Sequence, residues 1–596
     1  MLVKTDESLL IAANCWLSKF ERVLSSSEFA SITLLFNIDC HWRDLLAFTW
    51  KITTVSGIEK IQKALEFYSK TAKPSGFIVD VLRTPPRRVT RAGVEVIEAI
   101  FCFKTAFGPA SGVLRLLSES ADKDSPKAWT LATTLNEING FEEPLGKKRP
   151  KGEAYSRDFC GPNWLDQRSS AIAYADREPA VIVVGGGQAG LSIAARLRQL
   201  SVDTLIVDRE ERVGDNWRNR YHRLTLHNQV HVNHLPYIPF PPNWPAYIPK
   251  DKIAGWFEAY VESMELNYWT NTEFLGGTYD EKNERWSVTL NQTNGLTREM
   301  HPRHVVMATG VSGIPNLPEI PGLENFGGKI IHSSEYQNGK DWKNSDVLII
   351  GSGNSGHDIA QDLYSNNANV TLVQRSPTTI IEIEPSAQLP YALYDEGPTL
   401  DDCDLISVST PFEMLKKSHQ LITEQAKILD EKLLRELSHM GFKIDFGDEG
   451  TGWQFKYLQR GGGYYFNVGC SDLIVEGKVK LIQFYEIDGF FNEGANIKNG
   501  SILKSDLVVL ATGFKGQEYL VRELFGHRIA KKVGPIWGFD DESQELRNMW
   551  VRTKQAGLWF IAGSFAQCRI FSKFLGLQIK ACESGIIPLI PSNNFL

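Results

Sequence analysis

The sequence predicts an α/β protein in which one parallel-sheet domain is inserted in another, with a further domain ahead of both. Three observations predict it. Two G-x-G-x-x-G turns, at 185–190 and 351–356, each follow a short apolar strand and open a helical pattern. Two more apolar runs, VVMATG at 305–310 and LVVLATG at 507–513, end in Ala-Thr-Gly. From Pro179 onward, β-branched runs alternate with glycine clusters and helical spacing, as in a parallel sheet covered by helices.

The elements follow in order. Residues 1–120 alternate helical and strand-like patterns and read as an α+β domain without such a turn. Residues 121–175 are poor in apolar runs and rich in Lys, Asp, Pro and Gly, which reads as a linker. The interleaved motifs then set 176–325 with 481–596 as one Rossmann-like domain and 326–480 as a second, inserted one. Near 395–440, Leu and Ile recur at helical spacing with charges between them. This is a helical insertion, expected as a surface helix pair against the body.

Composition limits the function. The 596 residues correspond to two to four domains at about 100–200 residues each. The net charge of −7 argues against nucleic acid or an anionic membrane as the main partner. No apolar run reaches the ~18–20 residues of a membrane span. The N-terminal stretch carries acidic residues where a signal or transit peptide would not. The eight cysteines are scattered without a C-x-x-C pair, so neither a disulfide framework nor a metal site is expected. A cytoplasmic location is the corresponding expectation.

The two glycine turns are phosphate cradles with different readers. In the first, Gly185 permits the turn, Gly187 lets a pyrophosphate approach, and Gly190 lets helix and strand pack. Gln188 and Ala189 lie within it, and the helix N-terminus faces the phosphates. The following strand ends in Asp208, with Arg209 next; a carboxylate there accepts from a ribose diol and repels a 2′-phosphate. In the second cradle, Gly351, Gly353 and Gly356 repeat the pattern around Asn354 and Ser355. The same spacing now reaches Gln374, followed by Arg375 and Ser376, so the acid is gone and a cation suits a 2′-phosphate. The simplest reading is FAD in the first cradle and NADPH in the second. Thr309, Gly310, Thr512 and Gly513, at the ends of the two Ala-Thr-Gly strands, belong to the same cofactor set.

Between the cradles, FGGKIIHSSEY at 326–336 fits F-x-G-x-x-x-H-x-x-x-Y. With the cradles, it makes 178–585 resemble the flavin-containing monooxygenases, the class B flavoprotein monooxygenases. Gly214-Asp215-Asn216-Trp217-Arg218 resembles that family's flavin-contacting G-G-x-W segment, with Asp215 and Asn216 departing from it. The stretch from Tyr221 to Tyr260 is similar to the indole-3-pyruvate monooxygenase branch. The resemblance implies a catalytic polar residue beside the flavin ring at His227 or Asn228. It implies that His332 orients NADP phosphate or structures its turn, that Gln567 and Arg569 lie near the flavin pyrimidine edge, and that Asp358 caps or packs. HWRDLLAFTWKITTVSGIEKIQKAL at 41–65 resembles the cone-shaped nuclear-transport-factor-two and polyketide-cyclase superfamily. That likeness makes His41, Trp42 and Asp44 candidate pocket residues, against an accessory or dimerising domain without chemistry.

The implied activity is an FAD- and NADPH-dependent monooxygenase acting through a flavin C4a-hydroperoxide on O2 and a small organic substrate, as an enzyme or homodimer. An aromatic 2-oxo acid, a soft N or S nucleophile and Baeyer–Villiger insertion all stay open. The alternatives are an NADPH oxidase-type flavoprotein and a non-catalytic flavin-binding sensor or scaffold. A disulfide reductase would need a redox cysteine pair.

Overall fold

A computed structural model of the chain describes residues 6–117, 126–152, 159–293, 295–311 and 313–591. The first domain begins with α1 (Glu7–Ser26), capped by Asp6, whose carboxylate accepts from the Ser8 N–H. Leu9, Ala13, Trp16, Leu17 and Phe20 recur at helical spacing and are buried. The strands are β1 (Phe36–Leu45), β2 (Ile52–Ser56), β3 (Ser75–Val79), β4 (Arg87–Arg91), β5 (Val94–Lys104), β6 (Pro109–Leu117) and β7 (Ala128–Leu135). They form one sheet in the order β2-β1-β7-β6-β5-β3, with β4 on β5. The β1–β7 pair is parallel and its other neighbours are antiparallel.

The linker expected over 121–175 is therefore shortened. β7 lies within it, fully buried between β1 and β6. Its AWTLATTL sequence fits a buried strand because its threonines bond across the sheet interior. The same interior holds the predicted pocket residues. The Asp44 carboxylate accepts from the hydroxyls of Thr133 (2.6 Å) and Thr49 (2.7 Å) and from the Thr49 and Phe48 N–H groups. Burial raises its pKa to about 6. Trp42 Nε1 donates to Thr133 Oγ1, and His41 Nδ1 bonds Ser56 Oγ. These side chains are saturated core, not an open pocket.

The first Rossmann-like sheet contains β8 (Val181–Val184), β9 (Thr204–Val207), β10 (Asn267–Trp269) and β11 (His304–Met307). The inserted sheet contains β12 (Lys329–His332), β13 (Asp346–Ile350), β14 (Asn369–Gln374), β15 (Lys480–Gln483) and β16 (Leu507–Leu510). The chain then returns to the first sheet as β17 (Leu558–Phe560). The orders are β10-β9-β8-β11-β17 and β12-β16-β13-β14-β15, parallel throughout. The expected return at 481 shifts accordingly. β16 is buried between β12 and β13, so the inserted domain extends past 480.

The insertion is larger than a helix pair. A 3-10 stretch at Ser386–Asp395 precedes three helices, Leu400–Val408, Phe412–Leu429 and Glu431–His439. Among the described residues, no helix is long and apolar enough to cross a membrane, and no cluster of three or more His, Cys, Asp or Glu could hold a metal.

Candidate active site

The two cradles repeat one geometry. Gly185 and Gly351 adopt φ of +103° and +121°. A Cβ on Gly190 would lie 1.9 Å from the Gly185 carbonyl oxygen, and one on Gly356 2.0 Å from that of Gly351. Each third glycine thus lets its helix sit on the preceding turn. Gly187 and Gly353 cap the two helices, Gln188–Gln199 and Asn354–Ser365. At Gly353 the nearest atom to an added Cβ is 3.8 Å away, so the backbone has space to face a ligand. Beside the first cradle, Thr309 Oγ1 and Trp217 Nε1 are buried without a hydrogen-bond partner. Open helix termini and orphaned donors fit a dinucleotide in the first cradle, and open helix geometry fits one in the second.

The two positions after the cradles' second strands differ in surroundings. Asp208 is buried and accepts from the N–H of Gly186 (2.6 Å) and Glu210 (2.9 Å). Arg375 is exposed just past the end of β14. Arg209, next to Asp208, has a 74% exposed side chain beside Glu210. Arg218 is spent on structure, bonded to Asp215 and Val213 and paired with Glu258.

His332 is buried, with Nε2 3.0 Å from the Gly513 carbonyl and Nδ1 2.8 Å from Ser334 Oγ. Burial holds its pKa below the ordinary value. Both ring nitrogens are engaged within the protein. The Thr512 hydroxyl donates to the Asn316 carbonyl, and Gly310 O accepts from Gln517. Ala189 is buried in its helix and Ser355 is half-buried.

A cavity of about 530 Å³ lies between the cradles. Gln188 reaches it from the first helix and Asn354 from the second. Gln188 Nε2 donates to Gly563 O, Asn354 Oδ1 accepts from the Phe466 N–H, and Gln567 accepts from the Tyr457 hydroxyl. Gln567 also lines the cavity. Arg569 does not. It is 4% exposed, pairs with both oxygens of Asp404 (2.8 and 2.7 Å), and donates to Val232 O and His234 O.

His227 and Asn228 both line the cavity. His227 meets Phe466 edge-on at 5.4 Å, with Nε2 3.9 Å from Asp358 Oδ2. Asp358 also accepts from the Tyr221 hydroxyl at 2.5 Å, and burial raises its pKa. Asn228 Nδ2 donates to the Tyr391 hydroxyl at 3.1 Å. Sequence reasoning missed much of the wall. Tyr391, Trp453 and Trp550 supply aromatic faces, and Arg43 and Ile52 come from the first domain. Arg220 lines the cavity with its guanidinium 6.0 Å from the Trp217 ring centre. Only Arg220 had a local signal, its place just after the Trp217 segment.

Comparison with known proteins follows this geometry. The pyridine nucleotide-disulphide oxidoreductase family matches residues 182–393. The probable indole-3-pyruvate monooxygenase YUCCA10 of Arabidopsis thaliana is 32% identical over 341 residues, 57% of this chain and 82% of that protein. The chain belongs to the class B flavin monooxygenases. The indole-3-pyruvate monooxygenase YUCCA1 of Oryza sativa subsp. japonica is 27% identical, covering 56% of this flavin monooxygenase and 77% of its own length. An ε-caprolactone-bound cyclohexanone monooxygenase has a TM-score of 0.50 at 16% identity, over 68% of this chain and 88% of that one. An oxidized steroid monooxygenase bound to NADP gives 0.50 at 19%, over 68% and 85%. Both share the fold.

The cysteines of this flavin monooxygenase are scattered along the sequence without a C-x-x-C pair. None of its eight cysteines is in a disulfide. Burial raises the thiol pKa to about 11 at Cys40 and Cys403 and about 12 at Cys582, and higher still at Cys470 and Cys568.

Proposed function

We propose that the protein uses FAD and NADPH to place one atom of O2 into a small aromatic organic acid of the 2-oxo acid class, the other atom leaving as water. The observation that carries this is the single cavity touching both cradles, through Gln188 and Asn354. When bound, FAD supplies the hydride acceptor and the oxygen-activating ring, and NADPH supplies the hydride.

The chain's own residues bind, orient and exclude water. The helix termini at Gly187 and Gly353 would hold the two pyrophosphates. Asp208 would accept from the ribose of the first dinucleotide, and Arg375 would pair with the 2′-phosphate of the second. Aromatic walls keep the cavity dry, which strengthens each hydrogen bond inside it. Asn228 has a second amide N–H beyond the one given to Tyr391, and His227 stands at the cavity wall with Nε2 3.9 Å from Asp358 Oδ2. Arg220 brings a cationic side chain to the wall, which suits an acid, whereas Arg43 is paired with Glu545 in the same wall. The named relatives support the aromatic 2-oxo acid class.

The test is product analysis with labelled O2 on indole-3-pyruvate, a tertiary amine and a cyclic ketone. Label in an acid made from indole-3-pyruvate supports the proposal; NADPH consumption matched only by peroxide rejects it. Arg375→Ala is expected to raise KM for NADPH about 10- to 100-fold, the loss of a charge-assisted contact, and to leave NADH unchanged. Steady-state kinetics with both nucleotides checks this, and equal loss with both would remove the 2′-phosphate role.

A further inference from the structure

The first domain grips the segment that walls the cavity. That segment runs from the 3-10 stretch at Ser386–Asp395 through the helix Leu400–Val408. On its inner side, Tyr391, Leu393, Tyr394, Ser407 and Val408 face the cavity. On its outer side, Arg91 holds both oxygens of Glu396 (2.7 and 2.8 Å), and Arg87 reaches the same carboxylate at 2.9 Å. Arg83 donates to Asp402 at 2.6 Å, and Thr84 donates to it through N–H and hydroxyl at 2.9 and 2.5 Å. Arg115 donates to the Ile406 carbonyl at 3.1 Å.

Charge explains why the grip is specific. Arg87, Arg91 and Arg115 converge on one carboxylate, Glu98, whose side chain is 1% exposed. Three guanidinium groups around one carboxylate leave positive charge within a largely buried cluster. Glu396 offsets it, so releasing the segment would leave desolvated cations unpaired, which is costly. The inner side connects to the site through Asn228 Nδ2, which donates to the Tyr391 hydroxyl at 3.1 Å, and through Gln388 Nε2, which donates to the His227 carbonyl at 3.1 Å. The first domain also reaches the wall directly, with Arg43 bonded to Glu545 at 2.8 Å.

We propose that the first domain is a positioning part of the oxygenating site: its arginine face fixes segment 386–408, which through the Tyr391 hydroxyl sets the orientation of Asn228. This rests on the monooxygenase reading above. Arg83, Arg91 and Glu396 touch no cavity group and act only through the segment.

The experiment uses the full-length holoprotein carrying Arg83→Ala with Glu396→Ala. Hydrogen–deuterium exchange is expected to rise at 386–408 and also at 226–233, with flavin content unchanged. NADPH oxidation with peroxide release, measured without substrate, is expected to rise roughly fivefold, the factor one lost hydrogen bond carries. Tyr391→Phe should give the same rise without changing exchange at 386–408. Combining all three substitutions should give less than the product of the separate rises, because part of the grip acts through that hydroxyl. Glu396→Gln, which keeps hydrogen-bonding capacity, should restore part of the coupling and serves if the double variant does not fold. Unchanged exchange at 226–233, or full additivity with Tyr391→Phe, overturns the proposal. If the wild type takes no electrons from NADPH, the monooxygenase reading fails, and the exchange result at 226–233 still decides the linkage.

Discussion

Gly356→Ala is expected to give a yellow, folded protein that NADPH reduces about 100-fold more slowly than the wild type. The added Cβ would stand 2.0 Å from the Gly351 carbonyl oxygen, a backbone atom with no side-chain freedom to yield. The helix Asn354–Ser365 must lift from β13, carrying its N-terminus and Asn354 away from the position set for the nucleotide. A misplacement near 1 Å is enough for a loss of that order. The first cradle stands on a different sheet, so FAD stays bound. Anaerobic stopped-flow measurement of flavin reduction by NADPH checks the rate, with dithionite reduction as the control. Gly190→Ala is the mirror case: its Cβ would lie 1.9 Å from Gly185 O, and this variant should lose the flavin.

Arg569→Met is expected to cost about 3–5 kcal/mol of stability, read as a large fall in the urea midpoint. Arg569 is 4% exposed, and its guanidinium joins Asp404 in the insertion to the carbonyls of Val232 and His234. Removing it leaves the Asp404 carboxylate, among the described residues, with only the Tyr394 hydroxyl at 2.8 Å and the two carbonyls without this donor. Breaking one side of such a pair costs more than replacing both, so Arg569→Met with Asp404→Leu should recover part of the loss. Retention of the wild-type midpoint in the single variant would show that the pair holds nothing.

These two residues mark what was legible in the sequence. Gly356 was readable because a close helix-to-turn approach demands glycine at a fixed spacing after a strand. The change from Asp208 to Arg375 was readable for the same reason, since register places both at strand ends. Arg569 was read as a flavin neighbour because its local segment resembles one. Its partner, Asp404, lies 165 residues away, and no local pattern reveals it. The cavity wall was hidden for a similar reason. Tyr391, Trp453, Trp550 and Arg43 come from separate segments and converge only in the fold. β7 was misread because its eight residues, with Trp129, Leu131 and Leu135, are a short island between Lys-, Asp-, Pro- and Gly-rich stretches, and its pairing with β1 and β6 is set by the fold.

A flavoprotein that meets O2 without substrate exposes its own interior to peroxide, and thiolates react with peroxide far faster than thiols. Cys403, Cys470, Cys568 and Cys582 are buried, and burial keeps each thiol protonated. The inner shell of sulfur is therefore chemically passive. Oxidative wear is expected to start at Cys15 and Cys160, which are exposed. After brief peroxide treatment, a sulfenic-acid probe should tag those two and leave the five buried thiols, Cys40 included, unlabelled, so the catalyst ages from its surface inward.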